Sequence, residues 1–419
     1  MTTQVGIQKS PRAFRLRAAG TLVLGIASMA VLFTVPPAQA QTFTVIHTFT
    51  GSDGAYPAYG LAMDRLGNYY GTTFDGGANN QGAVFKLRQT NENWLFYSLY
   101  NFTGGADGNG PGGITVTSNG ALYGTTDIGY LGAVWQLRPD PRLAVSVLQP
   151  WTLSTIHSCT GTPDCHDLSS SAALLSDRSG NLYGVSSYGG QYDAGAVYEL
   201  TPSGGSWTYT TLYSFQNNGT DGYLPNTPLN ADAAGNLYGL TYFGGTNNSG
   251  TVYELSPSGS GWTEQVLHSF DPTTDGYFSV AQPVMDPSGN LYGTTFSGGP
   301  NQGGTVFELS PSNGSWDFTM LYAFPGSGGP SGPYGGVVID SSGNLYGTTA
   351  GAGPYNCGNI FELSPTQGGW DYSDLYDFTC GSDGGEPIGS LVMDSAGNLY
   401  GNANFGGADN YGTVFKLTP

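Results

Sequence analysis

This sequence predicts an all-β fold, a seven-bladed β-propeller of four-stranded antiparallel blades. Its ring is expected to close by the N-terminal strand pairing with the C-terminal blade. The tetrapeptide Asn-Leu-Tyr-Gly, or a near variant, recurs with its glycine at Gly71, Gly124, Gly184, Gly239, Gly293, Gly347 and Gly401, a period near 54 residues. A fixed period of that size with strands inside it marks a propeller or a related array. Each period holds four strand-like segments rich in β-branched and aromatic residues and bounded by turn residues. The repeats begin with a fourth segment, Thr42 to Phe49, and end with a third, Gly412 to Leu417. The first strand can therefore complete the last blade and remove an unpaired sheet edge.

Within a repeat, segment A is apolar and ends in Asp, as in Val337-Val338-Ile339-Asp340. Segment B is the Asn344 to Thr349 type, and segment C the Gly304 to Leu309 type. Segment D starts at Trp and ends in Leu-Tyr-x-Phe, as in Trp316 to Phe324. Between A and B sits Asp-x-x-Gly-Asn, where Asp caps the turn and Gly takes positive φ. A parallel β-helix, the rival array, has shorter coils and no hairpins.

Residues 1–40 read differently. Lys9, Arg12, Arg15 and Arg17 precede an apolar run from Ala18 to Val35 and an Ala38-Gln39-Ala40 site. That is the pattern of a secretory signal peptide, cleaved after Ala40. An uncleaved membrane anchor is the alternative reading of the same run. Residues 41–419 form the propeller, and no later run is long enough to span a bilayer. Cleavage leaves seven basic residues against thirty acids, a net charge of −23. Such a charge disfavours nucleic acid and anionic membranes as partners.

Four cysteines in an exported chain suggest two disulfides. Cys159 and Cys165 flank one D–A loop; Cys357 lies in a B–C loop and Cys380 opens the next D–A loop on the same face. The expected pairs are Cys159–Cys165 and Cys357–Cys380.

Residues that look chemical mostly occupy repeat slots. His47, His157 and His268 share a slot with Tyr100, Tyr213, Tyr322 and Tyr376, so they read as structural. His166 lies outside the pattern. Six Trp stand six residues before that slot and read as packing residues. The segment-C Glu slot (Glu199, Glu254, Glu308, Glu362) also accepts Lys86, Gln136 and Lys416, which marks a solvated position. Two repeats are irregular: extra residues between C and D at Arg138 to Pro150, and a short B–C loop near Ile128 to Leu131. Specific function is expected near such departures. No nucleotide-binding loop, nucleophile elbow or metalloprotease motif is present.

Because strands alternate in direction, the A–B and C–D turns share one face and the B–C and D–A loops share the other. The second face carries the longer loops. Its candidate ligand-binding residues are Tyr56, Tyr188, Tyr223, Tyr277 and Tyr334, with Asp53, Asp107, Asp221, Asp275 and Asp383. Aromatic faces beside amides and carboxylates stack on sugar rings and bond hydroxyls. Rim packing and turn formation are the plainer reading of the same residues. No catalytic residue and no metal site is assigned. No cofactor is expected, calcium being the one that the loop carboxylates leave open.

The repeated Gly-Asn-Leu-Tyr-Gly-Thr-Thr … Gly-Gly … Gly-Thr-Val-Phe-Glu-Leu, clearest at Gly289 to Leu309, Gly343 to Leu363 and Gly397 to Leu417, resembles the Gloeo/Verruco (GloVer) tandem repeat of bacterial exported proteins. The resemblance covers residues 42–419 and implies export, often with a C-terminal surface anchor. It supplies no activity and no catalytic residues. No anchor tail follows the last repeat, so free secretion or a periplasmic location is expected. The expected function is a monomeric, non-enzymatic binding or scaffolding module for a glycan or cell-surface partner. An extracellular carbohydrate-active enzyme or lyase is the alternative.

Overall fold

A computed structural model describes residues 41–419 except 92, 129–130, 140–149, 169–171, 260, 327–330 and 352. The expected signal peptide and most of the Arg138 to Pro150 insertion lie outside the described residues. Seven antiparallel sheets form the seven blades of a propeller. Blade one runs Ala62–Met63, Tyr69–Thr73, Ala83–Thr90 and Asn93–Asn101 from the axis outward. Blade seven takes Val392–Met393, Leu399–Ala403 and Thr413–Thr418 from the C-terminus and Thr42–Thr48 from the N-terminus. The closing pair sets Thr42 opposite Thr418 and Phe43 opposite Leu417. The ring is thus sealed by hydrogen bonds between its first and last strands.

A four-stranded blade has two apolar faces, and each is buried against a neighbour. One core cluster joins Tyr70, Val84 and Phe102 of blade one to Leu122, Trp135 and Leu137 of blade two. Another joins Tyr238, Val252 and Phe270 of blade four to Leu291, Phe307 and Leu309 of blade five. The repeated glycine of segment B permits this contact. A Cβ on Gly293 would lie 2.5 Å from the Phe307 ring, so only glycine fits.

The innermost strand is shorter than its apolar segment suggests: two residues in six blades and three in blade two. The D–A segment explains the difference. Its outer part pairs with the far half of strand B, as Gly222–Pro225 does with the strand Leu237–Gly244. The chain then breaks at one residue with positive φ in each repeat: Tyr56, Gly110, Asp167, Leu224, Phe278, Gly332 and Glu386, with φ between 49° and 67°. Proline follows five of them and cannot continue the ladder. In five of the repeats the N–H of this residue latches onto the preceding blade, as where Tyr56 donates to the Tyr411 carbonyl, Leu224 to Ala194 and Glu386 to Cys357. The strained backbone is held by the seam it closes. The crossing segments then crowd the axis and leave a cavity of about 120 Å³ among Leu61, Ile114, Pro228 and Val280.

Both expected disulfides are present, Cys159–Cys165 and Cys357–Cys380, with Cα separations of 5.0 and 5.5 Å. The second ties a blade-six B–C loop to the segment entering blade seven. Among the described residues no helix is long and apolar enough to cross a membrane.

Candidate functional site

The Tyr/His slot of strand D makes a recurring contact with the loop that follows it. His47, His157 and His268 place Nε2 at 3.1, 3.2 and 2.8 Å from Asp53, Asp164 and Asp275. Tyr100, Tyr213 and Tyr376 donate to Asp107, Asp221 and Asp383, each at 3.0 Å. Where the next blade offers an aromatic ring, the slot also stacks on it: His47 on Phe96 at 4.0 Å, His268 on Phe318 at 4.2 Å, Tyr376 on Phe43 at 3.8 Å. This is a seam position, and burial holds the His47 pKa below its ordinary value against the pull of Asp53.

The candidate aspartates are occupied within their own loops. Asp107 accepts from the Thr103 amide and hydroxyl, and Asp53 from those of Thr50. Asp107, Asp221 and Asp383 are 9, 6 and 8% exposed. Asp275 accepts from the Asp271 amide and the Thr274 hydroxyl.

The D–A tyrosines pack against the rim. Tyr223 stacks on Phe243 at 5.6 Å, Tyr277 meets Phe278 edge-on at 4.5 Å, and Tyr334 meets Phe296 at 5.5 Å. Tyr56 lies 6.3 Å from Tyr411. Tyr188, expected in a B–C loop, instead ends the strand Leu182–Gly189 opposite His166, and it stands 40% exposed. Around it the structure adds aromatics that the sequence reading did not single out: Phe74 at 39%, Tyr192 at 50% and Tyr355 at 59%. Three of these rings rise from B–C loops and Tyr188 from the strand end beside one, on blades one, three and six.

The seams of this face are not alike, and Ser187, Ala350 and Asn404 stand where three others carry aromatic rings. Position 3 after the segment-B glycine carries Phe74 against Gly110, Phe296 against Gly332 and Tyr242 stacked on Phe278 at 4.3 Å. Between blades two and three it carries Asp127, within electrostatic reach of Asp167. Burial, then the Asp167 charge, pushes the Asp127 pKa up to about 6. Burial raises Asp167 too, against the opposing pull of His166. His166 lies 3.9 Å from Asp193, with its ring 6.0 Å from that of Tyr188. His157 with Cys159 and Cys165 has metal-ligand spacing, but both sulfurs are in a disulfide and offer no thiolate.

The short-turn face is ordered by one motif. Asp64 accepts from the Leu66 and Asn68 amides, the Asn68 side chain and the Tyr70 hydroxyl, at 2.7–3.0 Å. Asp177, Asp232, Asp286, Asp340 and Asp394 repeat the pattern. Burial raises the Asp64 pKa, but these donors outweigh it and hold the carboxyl below its ordinary value. The segment-C slot touches the same tyrosine and is half-buried: Tyr292 donates to Glu308 and Tyr346 to Glu362, both at 3.1 Å. Two depressions open on this face, one of about 910 Å³ near the axis over blades one to four and one of about 980 Å³ between blades seven and one.

Among solved structures, the chain is similar to the extracellular domain of a putative one-component system from B. thetaiotaomicron, at 12% identity and a TM-score of 0.57, covering 89% of this chain and 39% of that one. An extracellular domain of a putative hybrid two-component system from the same organism matches at 15% identity and 0.55, covering 91% and 42%. An ancestral GH74 enzyme matches at 11% and 0.54, covering 87% and 48%. The chain thus spans less than half the length of each, and the likeness is one of fold. No curated protein matches the sequence. A family model for the Gloeobacter/Verrucomicrobia repeat matches residues 20–156, 131–331 and 263–419, and with seven such repeats closing into one ring the chain belongs to that family.

Proposed function

We propose that this chain is an exported, non-enzymatic binding module that engages a neutral glycan or a cell-surface partner through its long-loop face. One observation carries the reading: the aromatic rings that stand exposed among the described residues, Phe74, Tyr188, Tyr192 and Tyr355, all lie in B–C loops or at the end of strand B that leads into one, on that face. Exposed amides, Asn79, Asn80 and Gln191, flank them. Aromatic platforms with hydrogen-bonding neighbours suit pyranose rings. The platforms sit on separate blades, so useful affinity would come from several engaged together. Export is supported by the signal-peptide pattern of residues 1–40 and by two disulfides, which persist in oxidising compartments. The location fits secretion or the periplasm.

Replacing Phe74, Tyr192 and Tyr355 together with Ala should weaken glycan or cell-surface binding about tenfold or more and leave the melting temperature within about 2 °C. Absence of wild-type binding across a broad glycan array and to intact cells would overturn the proposal.

The Asp127–Asp167 pair supports an enzymatic second reading. A carboxyl with a pKa raised beside a second carboxylate is the acid–base arrangement of glycoside hydrolysis. Polysaccharide turnover by the wild type that Asp127→Asn abolishes would favour that reading over the first.

A further inference from the structure

The charge of residues 41–419, seven basic residues against thirty acids, is unevenly spread. In blades three to six the segment-C slot is Glu199, Glu254, Glu308 and Glu362. In blades seven and one, which flank the closing seam, it is Lys416 and Lys86. Arg65 occupies the A–B turn tip of blade one, and Arg88 and Arg138 the ends of the third strands of blades one and two. Five of the six described basic side chains therefore fall on three consecutive blades. Among the described residues, none of the six pairs with a carboxylate, since every ion pair uses histidine.

Three of these cations line the depression between blades seven and one. The 980 Å³ cleft is lined by Arg65, Lys86 and Arg88, with Asn68, Gln89 and Asn91 as amide neighbours. Tyr69 and Tyr400 also line it, their rings tilted with centroids 4.2 Å apart, and Tyr69 stands where every other repeat has Leu. Lys86 lies over the Tyr70 ring at 5.3 Å and Lys416 over Tyr400 at 5.8 Å. Burial holds the Lys86 pKa below its ordinary value, and Arg88 adds to that against the pull of Asp64. A partly desolvated cation beside a second cation gains from an incoming anion. Asp64 and Asp394 also border the cleft, each with its carboxylate held by turn donors.

We propose that this cleft binds an acidic polysaccharide, its uronate carboxylate held by Lys86 and Arg88 and its hydroxyls by the amides and Asp394. The mixed lining selects a sugar. Cations answer the carboxylate, while amides and fixed acceptors answer hydroxyls, which an acidic peptide lacks in number. The acidic arc of blades three to six does not forbid it. Charges more than about 8 Å away are largely screened at physiological salt, and local cations set the local potential. The site lies on the face opposite the proposed aromatic platforms and is independent of them.

The test is calorimetric titration of the mature protein with oligogalacturonate in low salt with a chelator. Binding is expected, weakening as salt rises, and weakened about tenfold or more in the Lys86→Gln/Arg88→Gln double variant. Glu308→Gln, on the acidic arc, should bind as wild type, and so should the Phe74/Tyr192/Tyr355 triple variant. No heat at low salt, equal affinity in the Lys86/Arg88 variant, or equal affinity for polyglutamate would each overturn the assignment. An unchanged melting temperature in the double variant excludes unfolding as the cause of lost binding.

Discussion

Glu264 stands where five seams place an aromatic ring. The equivalent residues Phe43, Phe96, Tyr209, Phe318 and Tyr372 stack on the preceding blade at 3.8 to 4.7 Å. Here the preceding ring is Tyr213, already bonded to Asp221, and the half-buried Glu264 carboxyl faces both. Burial, then the Asp221 charge, pushes its pKa up to about 7. The folded state therefore holds a proton that the unfolded chain releases near its ordinary value, and stability falls as pH rises through that interval. Glu264→Gln should melt with the wild type at pH 5 and, discounting for partial exposure, about 2 °C above it at pH 8. A difference independent of pH would contradict a raised pKa. Residue roles were legible where the repeats supplied a control. Three histidines interchangeable with tyrosine read as packing and are packing. The seam latch was not legible, because its requirement is a backbone angle and Tyr, Asp, Leu, Phe and Glu share no side-chain signature. Nor was the Asp127–Asp167 pair, whose members occupy two different repeat slots and meet only across a seam.

At the scale of the strand, alternation, turn chemistry and period located three of the four segments closely. The innermost strand was over-read, since its apolar residues also serve the axial crossing and only two pair with a neighbour. Closure was legible because a fourth segment was left over at the front and missing at the back. Deleting Thr42–Thr48 with Phe49 would remove Phe43 from its contacts with Tyr376 and Phe415 and empty the fully buried Phe49 site. Each large aromatic lost from a packed site costs about 3 kcal/mol. Thr413–Thr418 would become a bare edge. The truncated protein is expected to aggregate or melt well below wild type, as read by light scattering and calorimetry. A monomer with unchanged melting would contradict closure by this strand.

Across the whole molecule, repetition set the scaffold and departures from it set the chemistry. Four Glu and two Lys in one slot looked like indifference in sequence. Placed around a ring, the same list becomes an acidic arc and a basic one. The export reading has its own check: N-terminal sequencing of the exported protein should find Gln41 first, and an intact Met1 would contradict cleavage after Ala40. The closing pair also decides how the ring answers force. Thr42 faces Thr418 at the open end of an antiparallel ladder whose bonds lie across the strands. Tension applied through residues 41 and 419 loads those bonds one at a time from that end, as in a zipper, and never all at once. A tethered molecule would therefore yield first at this seam, under a small pull, however high its melting temperature. The same protein fused at one end only would carry no load there.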